Sequence, residues 1–497
     1  MSTVLGIDIG TQSVKVLFYC ADTKQCTAQA SAPLAMHRTH DGVAEQQAHW
    51  WIDGLHAALR QIAPSVLASV TAIGVSGQQH GFVPIDASGQ PLVPVKLWCD
   101  TSTTAECDYL TAQMGGADAC IAALGNPILP GYTASKLLWF RQTHADLYAQ
   151  MDCILLPHDF INFYLTGATT MEAGDASGTG FMDIGARQWS QQMLGIIDPN
   201  TDLRDRLPSI GTSMAPVGQL LPSIARELGL PSGIPVAPGG GDNMMGAIGT
   251  GNVKPGVVTM SLGTSGTIYS FAEAPVTDPN GDIAAFCSST GGWLPLICTM
   301  NCTVGTQLMQ DLFGTTISQF EANLRNSARG AQGVIAVPFF NGERTPNLPG
   351  GKACLFGLDG QNMREEHFLR ATVEGVTFGL RAGLALLAKQ GMTAQDIVLT
   401  GGGANSPAWR QIVADICNAP VTVLTNPEAA ALGAALQALA SLTGADIQAL
   451  ADEHLTRATD ACCLPQPDAV DFYQEHYHAY QRAAAHVEAL YREDRPL

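Results

Sequence analysis

Two short apolar runs open the chain, Val4-Leu5 and Val14–Tyr19, around the segment Gly6-Ile7-Asp8-Ile9-Gly10-Thr11-Gln12-Ser13. Apolar runs split by a glycine turn predict a β-hairpin. A distorted copy lies near mid-chain, where Val257-Val258 and Thr267–Phe271 flank Ser261-Leu262-Gly263-Thr264-Ser265-Gly266. After the first hairpin the spacing predicts a helix around Gln46–Ile62, then a strand Val70–Ser76 ending in Gly77-Gln78-Gln79-His80-Gly81. Ile234–Ala237 reads as a short strand, Gly239-Gly240-Gly241-Asp242-Asn243 as a turn, and Met244–Gly249 as the start of a helix of small residues. Further on come a strand Asp396–Thr400, a turn Gly401-Gly402-Gly403, and a helix capped by Asn405 or Ser406 that runs from Pro407 to about Asn418. Strand Val421–Leu424 and helix Ala429–Leu442 follow. In the last helix, Phe472–Tyr491, the residues Tyr473, Tyr477, Tyr480, Ala484, Val487 and Tyr491 form a stripe. That stripe suits a terminal helix docked on the core, with a partner-binding helix as the alternative.

Alternating strands and helices predict an α/β fold. A chain of 497 residues exceeds one hydrophobic core, so two domains are expected, 1–248 and 249–497, with the boundary near Gly249. Hydrophobic residues at 46% and charged residues at 14% suit well-buried domains and indicate neither disorder nor a low-complexity tail. The net charge of −19 argues against nucleic acid and anionic membranes as partners. It also means that bound phosphate must be held by backbone N–H groups, Mg²⁺ and a few basic residues. The 13 cysteines include no C-x-x-C pair, which predicts free thiols in a reducing cytoplasm. No signal-peptide pattern precedes the first strand, and no apolar stretch reaches the roughly 18 residues that span a bilayer.

Glycine-threonine turns expose backbone N–H groups that suit phosphate oxygens, so the two hairpins point to a nucleotide-using enzyme. Asp8 would repel phosphate directly but serves it through Mg²⁺; otherwise it caps its own turn. Lys15, on the outgoing strand, is a counter-charge for phosphate or an ordinary exposed lysine. Asp242 at a helix start is a base that takes a hydroxyl proton during phosphoryl transfer, or a plain N-cap. The glycines before it would let another molecule approach closely. Gly401-Gly402-Gly403 could set a nucleotide against a helix N-terminus or be a simple turn. Gln79 and His80 are expected on an exposed rim, able to hydrogen-bond a polar ligand, with a structural histidine as the alternative. Trp98 and Asp100 could face the same pocket, the indole against a sugar or in the core.

These stretches together resemble the FGGY family of carbohydrate kinases over nearly the whole length. Gly6-Ile7-Asp8-Ile9-Gly10-Thr11 looks like its first phosphate motif. Gly131-Tyr132-Thr133-Ala134-Ser135-Lys136-Leu137-Leu138-Trp139 resembles its first signature, departing only at Thr143. Leu355-Phe356-Gly357-Leu358 with His367–Glu374 resembles the second. The resemblance implies two actin-like, ribonuclease-H-like domains with a catalytic cleft between them. It implies Asp242 as general base, with Asn243 beside it, and Asp8 as the carboxylate serving Mg²⁺. Thr11, Ser13, Lys15, Gly263 and Thr264 would hold phosphate. Gly402 and Gly403, with Asn405, would form the nucleotide loop, and Gln79 and His80 the substrate pair.

Within the family, Ser76–Gly81, Asp175-Ala176-Ser177-Gly178-Thr179 and Asn341-Gly342-Glu343-Arg344-Thr345-Pro346 are similar to members acting on D-xylulose. Gln79 stands where those carry Met, and His158, in Leu155-Leu156-Pro157-His158-Asp159, where they carry Lys. The expected activity is ATP-dependent phosphorylation of D-xylulose at its C5 hydroxyl, in a cytoplasmic enzyme that family habit makes a homodimer. The alternatives are a kinase for another ketose or polyol, such as ribulose, and an actin- or Hsp70-like ATPase switch that binds a protein partner.

Overall fold

The computed structural model describes residues 2–211 and 214–492. They form two compact units, the first made of Met1–Lys254, Phe271–Pro295 and Glu428–Leu455, the second of Pro255–Ser270, Leu296–Pro427 and Thr456–Leu497.

The first unit is built on a seven-stranded sheet. Its strands are β1 (Thr3–Ile9), β2 (Ser13–Cys20), β3 (Gln25–Pro33), β4 (Val70–Gly77), β5 (Gly218–Gln219), β6 (Pro235–Val236) and β7 (Gly240–Gly241). The order is β5-β6-β4-β1-β2-β3, with β7 also paired to β4. The expected hairpin is present, with Asp8 opposite Lys15. β4 runs parallel to β1, Asp8 beside Ser76, and β7 runs parallel to β4, Gly240 beside Ser76. The C-terminal ends of three parallel strands therefore lie side by side, and each continues into one loop of the candidate site.

The central strands are buried on both faces, as runs such as Leu5, Ile7 and Ile9 require. Helix Ala48–Leu59 contributes Trp51, Leu55 and Ala58 to this core. Helix Ala429–Thr443 lies against the sheet almost backbone to backbone. A Cβ on Gly6 would stand 1.9 Å from the Ala431 carbonyl oxygen, and one on Gly74 would stand 2.0 Å from that of Ala434. The same helix meets helix Asp242–Thr250 equally closely, since a Cβ on Gly433 would lie 1.8 Å from the Met245 carbonyl oxygen. In space, a helix from the far end and the segment Phe271–Pro295 complete the first unit. The physical reason is the glycine-lined seat, which only a helix of small residues fits.

The second unit holds a five-stranded sheet of β8 (Val257–Leu262), β9 (Gly266–Ser270), β10 (Leu296–Thr299), β11 (Asp396–Thr400) and β12 (Val421–Val423), in the order β10-β9-β8-β11-β12. β8 and β9 make the second expected hairpin, closing at Leu262 opposite Gly266. Helix Glu365–Lys389 is the main apolar support of this unit, with Leu369, Val373, Val376, Phe378, Leu380 and Leu387 buried. By length and composition alone it could cross a membrane, contrary to the sequence expectation, but most of its apolar window is inside the fold. The terminal helix Pro467–Arg492 docks on it, as its stripe predicts: Tyr473, Tyr477 and Tyr480 surround the Phe378 ring at centroid distances of 5.2–6.1 Å. Arg370 ties the two helices through Glu374 and the Tyr473 hydroxyl.

Candidate active site

Asp8 lies one residue before the end of β1 and is half-buried. Ser76, its neighbour across the parallel pair, donates its hydroxyl to Asp8 Oδ1 at 2.7 Å. Burial pushes the Asp8 carboxyl up, while the Ser76 hydrogen bond and the charge of Lys15 pull it down. Lys15 is itself tied to Glu428 at 2.6 Å, so its charge is shared. Among the described residues, no group of three or more His, Cys, Asp or Glu side chains is set to hold a metal. Asp8 is a carboxylate that could hold a cation whose other oxygen ligands come from phosphate and water. In the turn beyond Asp8, the Thr11 hydroxyl donates to Gln78 Oε1 and accepts from Trp98 Nε1, both at 3.0 Å. The donors this turn can offer a phosphate are thus backbone amides rather than that hydroxyl. Ser13 follows as the first residue of β2, half-buried.

Asp242 is the first residue of helix Asp242–Thr250, and Gly241 holds the cap position, so the plain N-cap reading is set aside. Asp242 Oδ1 accepts from the Asn243 backbone N–H at 2.8 Å and from Asn243 Nδ2 at 3.2 Å. Oδ2 is the oxygen left to take a proton. Asn243 Nδ2 also donates to Gln79 Oε1 at 2.8 Å, which links the ends of β4 and β7. Burial, then the charges of Asp8 and Asp175, push the Asp242 carboxyl up to about 7. A base acts only when ionised, so kcat/KM for the acceptor is expected to fall about tenfold per pH unit below about 7. A pH–rate profile that stays flat down to pH 5 would remove Asp242 from this role.

Gln79 and His80 are buried, not exposed on a rim, because the His80 ring is packed by Tyr132 and Phe286 at centroid distances of 5.0 and 5.7 Å. His80 has a φ of 64°, a left-handed backbone that a histidine adopts only when held. Its carbonyl oxygen accepts from Lys136 Nζ at 2.8 Å and from the Thr133 hydroxyl at 3.2 Å. Lys136 is fully buried, and burial pulls its ammonium down to about 7. Trp98, beside this loop, is partly exposed.

In the second unit, the turn Gly263-Thr264 sits on the start of helix Thr303–Phe313. The Gly263 carbonyl accepts the Thr303 N–H and hydroxyl, and the Thr264 carbonyl accepts the Cys302 N–H. Gly401 and Gly403 have no room for a side chain: a Cβ would stand 2.7 Å from the Leu262 carbonyl carbon and oxygen, or 2.8 Å from Leu262 Cβ. Gly402 faces open space, which leaves the crest of this loop bare for a flat ligand. Ser406 caps the following helix Pro407–Cys417 by accepting the Trp409 N–H, while Asn405 is exposed.

Residues 3–249 match the N-terminal domain of the FGGY family of carbohydrate kinases, and residues 258–442 match its C-terminal domain. This chain belongs to that family. The xylulose kinase of Haemophilus influenzae is 40% identical over 494 residues, 98% of this chain and 100% of that protein. A crystal structure described as a xyloylose kinase from Brucella ovis superposes with a TM-score of 0.91 at 30% identity, covering 98% of this chain and 100% of that one. A gluconate kinase from Lactobacillus acidophilus reaches a TM-score of 0.90 at 22% identity, covering 99% of each chain. The two-domain α/β, actin-like fold is therefore that of the family, and the fold by itself does not choose the sugar.

Two further readings of this FGGY chain change with the structure. Asp100 is fully buried and saturated by the Ala44 N–H, Lys96 Nζ and the Ser102 N–H and hydroxyl, so it braces a loop and has no oxygen to offer a sugar. Gly239-Gly240-Gly241 makes room for the protein's own groups rather than for a ligand. A Cβ on these glycines would meet the Val75 carbonyl oxygen at 2.3 Å, Ser289 Oγ at 2.5 Å and Gln79 Cγ at 2.7 Å, in turn. Ser76, Gln78, Thr133, Lys136, His158, Glu172 and Asp175 carry no sequence-read role, although all but Glu172 lie in segments that resemble the family.

Proposed function

We propose that this kinase transfers the γ-phosphoryl group of MgATP to the C5 hydroxyl of D-xylulose. The observation that carries this reading is Asp242, with Oδ1 fixed by Asn243 and Oδ2 left to accept a proton. In the step, the C5 hydroxyl gives its proton to Oδ2 and its oxygen bonds to the γ-phosphorus as the bond to ADP breaks. Asp8 would hold Mg²⁺ on the nucleotide, which would supply charge to offset the phosphates, and Lys15, Ser13 and the amides of the first turn would assist. Gly263, Thr264, Gly402, Gly403 and Asn405 would receive the nucleotide. Gln79, His80, Asn243 and Trp98 would orient the sugar. That relatives of full length are named xylulose kinases supports the acceptor. The 13 free cysteines suit a cytoplasmic enzyme.

Gln79 is the residue that favours testing a second acceptor, since its amide puts polar atoms beside the sugar, with Oε1 already held by Asn243. In an ADP-coupled assay across pentuloses and polyols, D-xylulose is expected to have the highest kcat/KM, by about tenfold or more over D-ribulose. Equal kcat/KM across the panel would overturn the D-xylulose assignment while leaving the kinase reading intact.

A further inference from the structure

Under the Gly239–Asp242 loop lies a layer of ionisable groups that the chemistry above does not use. His158, Asp159, Asp175 and Glu172 are all buried, at 0–2% exposure. His158 Nδ1 stands 2.9 Å from Asp175 Oδ2, and its Nε2 stands 2.9 Å from Asp159 Oδ1. The Nδ1 contact is a hydrogen bond, while Nε2 lies at ion-pair distance from Asp159 without hydrogen-bond geometry; a neutral imidazole, with its single N–H, would face one of these carboxylates with a lone pair. Burial opposes a positive charge on the ring, but Asp159 and Asp175 together raise the histidine well above its usual range.

The position of the ring matters as much as its charge. A Cβ on Gly77 would touch the His158 backbone N–H nitrogen at 2.8 Å and its Cβ at 2.9 Å, and a Cβ on Gly239 would come within 3.2 Å of His158 Cδ2. His158 thus underlies both strand ends, the one leading to Gln78-Gln79-His80 and the one leading to Asp242. The charge of Asp175 reaches Asp242 and opposes its ionisation. Glu172, held by the Gly174 and Asp175 N–H groups, adds a further carboxylate to the layer. Lys15, the lysine paired across from Asp8, is shared with Glu428.

We propose that His158, as a buried imidazolium between Asp159 and Asp175, is a positioning residue that offsets part of the negative charge beneath Asp242 and keeps the base and its loop ready for proton transfer. This rests on Asp242 being the base. The test compares His158→Gln, His158→Lys and the double variant His158→Gln/Asp175→Asn, with Asp242→Asn alongside, measuring kcat and KM for sugar and MgATP. His158→Gln is expected to lower kcat about tenfold or more with KM for MgATP within about twofold, because it strands a buried carboxylate. His158→Lys, less similar in shape but charged, is expected to recover most of kcat. The double variant, which removes one opposing carboxylate with the cation, is expected to exceed the single Gln variant. If Gln equals or exceeds Lys, or the double variant does no better than the single, the ring is only packing and the inference falls. Should Asp242→Asn remain active, the base assignment fails instead. If His158→Gln does not fold, the Lys and double variants still decide between charge and packing.

Discussion

Asp242→Asn is expected to abolish sugar phosphorylation, with kcat lowered about 10³-fold or more, and at the same time to make the folded protein more heat-resistant at pH 8. The two effects share one cause. In an unfolded chain this carboxyl titrates at 3.8; in the fold, burial and the charges of Asp8 and Asp175 hold it up to about 7. Between those values the folded state keeps the proton that the unfolded chain has lost, so stability falls as pH rises through that window. Above it the native protein carries an ionised group in an unfavourable place. The shift corresponds to at most about 4 kcal/mol, and partial exposure reduces this to about 1–2 kcal/mol, or a few degrees in Tm. Asparagine keeps the shape without the charge. Calorimetry at pH 8 should find the variant more stable, and the gain should vanish near pH 4. Retained turnover would mean another base; a lower Tm at pH 8 would mean that the hydrogen bonds to Oδ1 outweigh the cost of the charge.

The second large effect is on folding. Gly→Ala inside a helix ordinarily stabilises by roughly 0.5–1 kcal/mol. At Gly433 the added methyl would stand 1.8 Å from the Met245 carbonyl oxygen, 2.7 Å from its carbonyl carbon and 2.8 Å from the Gly249 nitrogen. These are backbone atoms of a packed helix and cannot step aside. Gly433→Ala is expected to cost more than about 4 kcal/mol, seen as loss of soluble protein or a collapse in the denaturation midpoint. Gly195, in helix Gln191–Ile197 with nothing within 4 Å of the added carbon, is the control and should be neutral or slightly stabilising as alanine. Equal outcomes at the two positions would refute the close approach.

How far these residues could be read from sequence depended on the range of the interactions that place them. Both hairpins, the Asp242 helix and the capped helix after Gly403 are local patterns, and their apolar spacing and glycine turns specify them within a dozen or so residues. The burial of His80 could not be read this way, because Phe286, about two hundred residues away, supplies part of its packing. Asp100 looks like a free carboxylate until Ala44, Lys96 and Ser102 are seen to use its oxygens. The glycines before Asp242 announce close approach, but not whether it comes from a ligand or from Val75, Ser289 and Gln79. Helix Ala429–Thr443 is legible as a helix; its attachment to the first sheet at Gly6 and Gly74, and to helix Asp242–Thr250 at Gly249, depends on residues no local window contains.

That attachment has a consequence for how the protein is made. The sheet of the first unit is synthesised early, yet the helix that covers Gly6 and Gly74 begins only at Ala429. At roughly 5–20 residues per second, a ribosome needs about ten seconds or more to travel from Lys254 to the end of that helix. During that interval the nascent sheet has one face without its native cover, a natural site for chaperones to guard. A fragment ending at Lys254 would lack that helix and remain in that unfinished state.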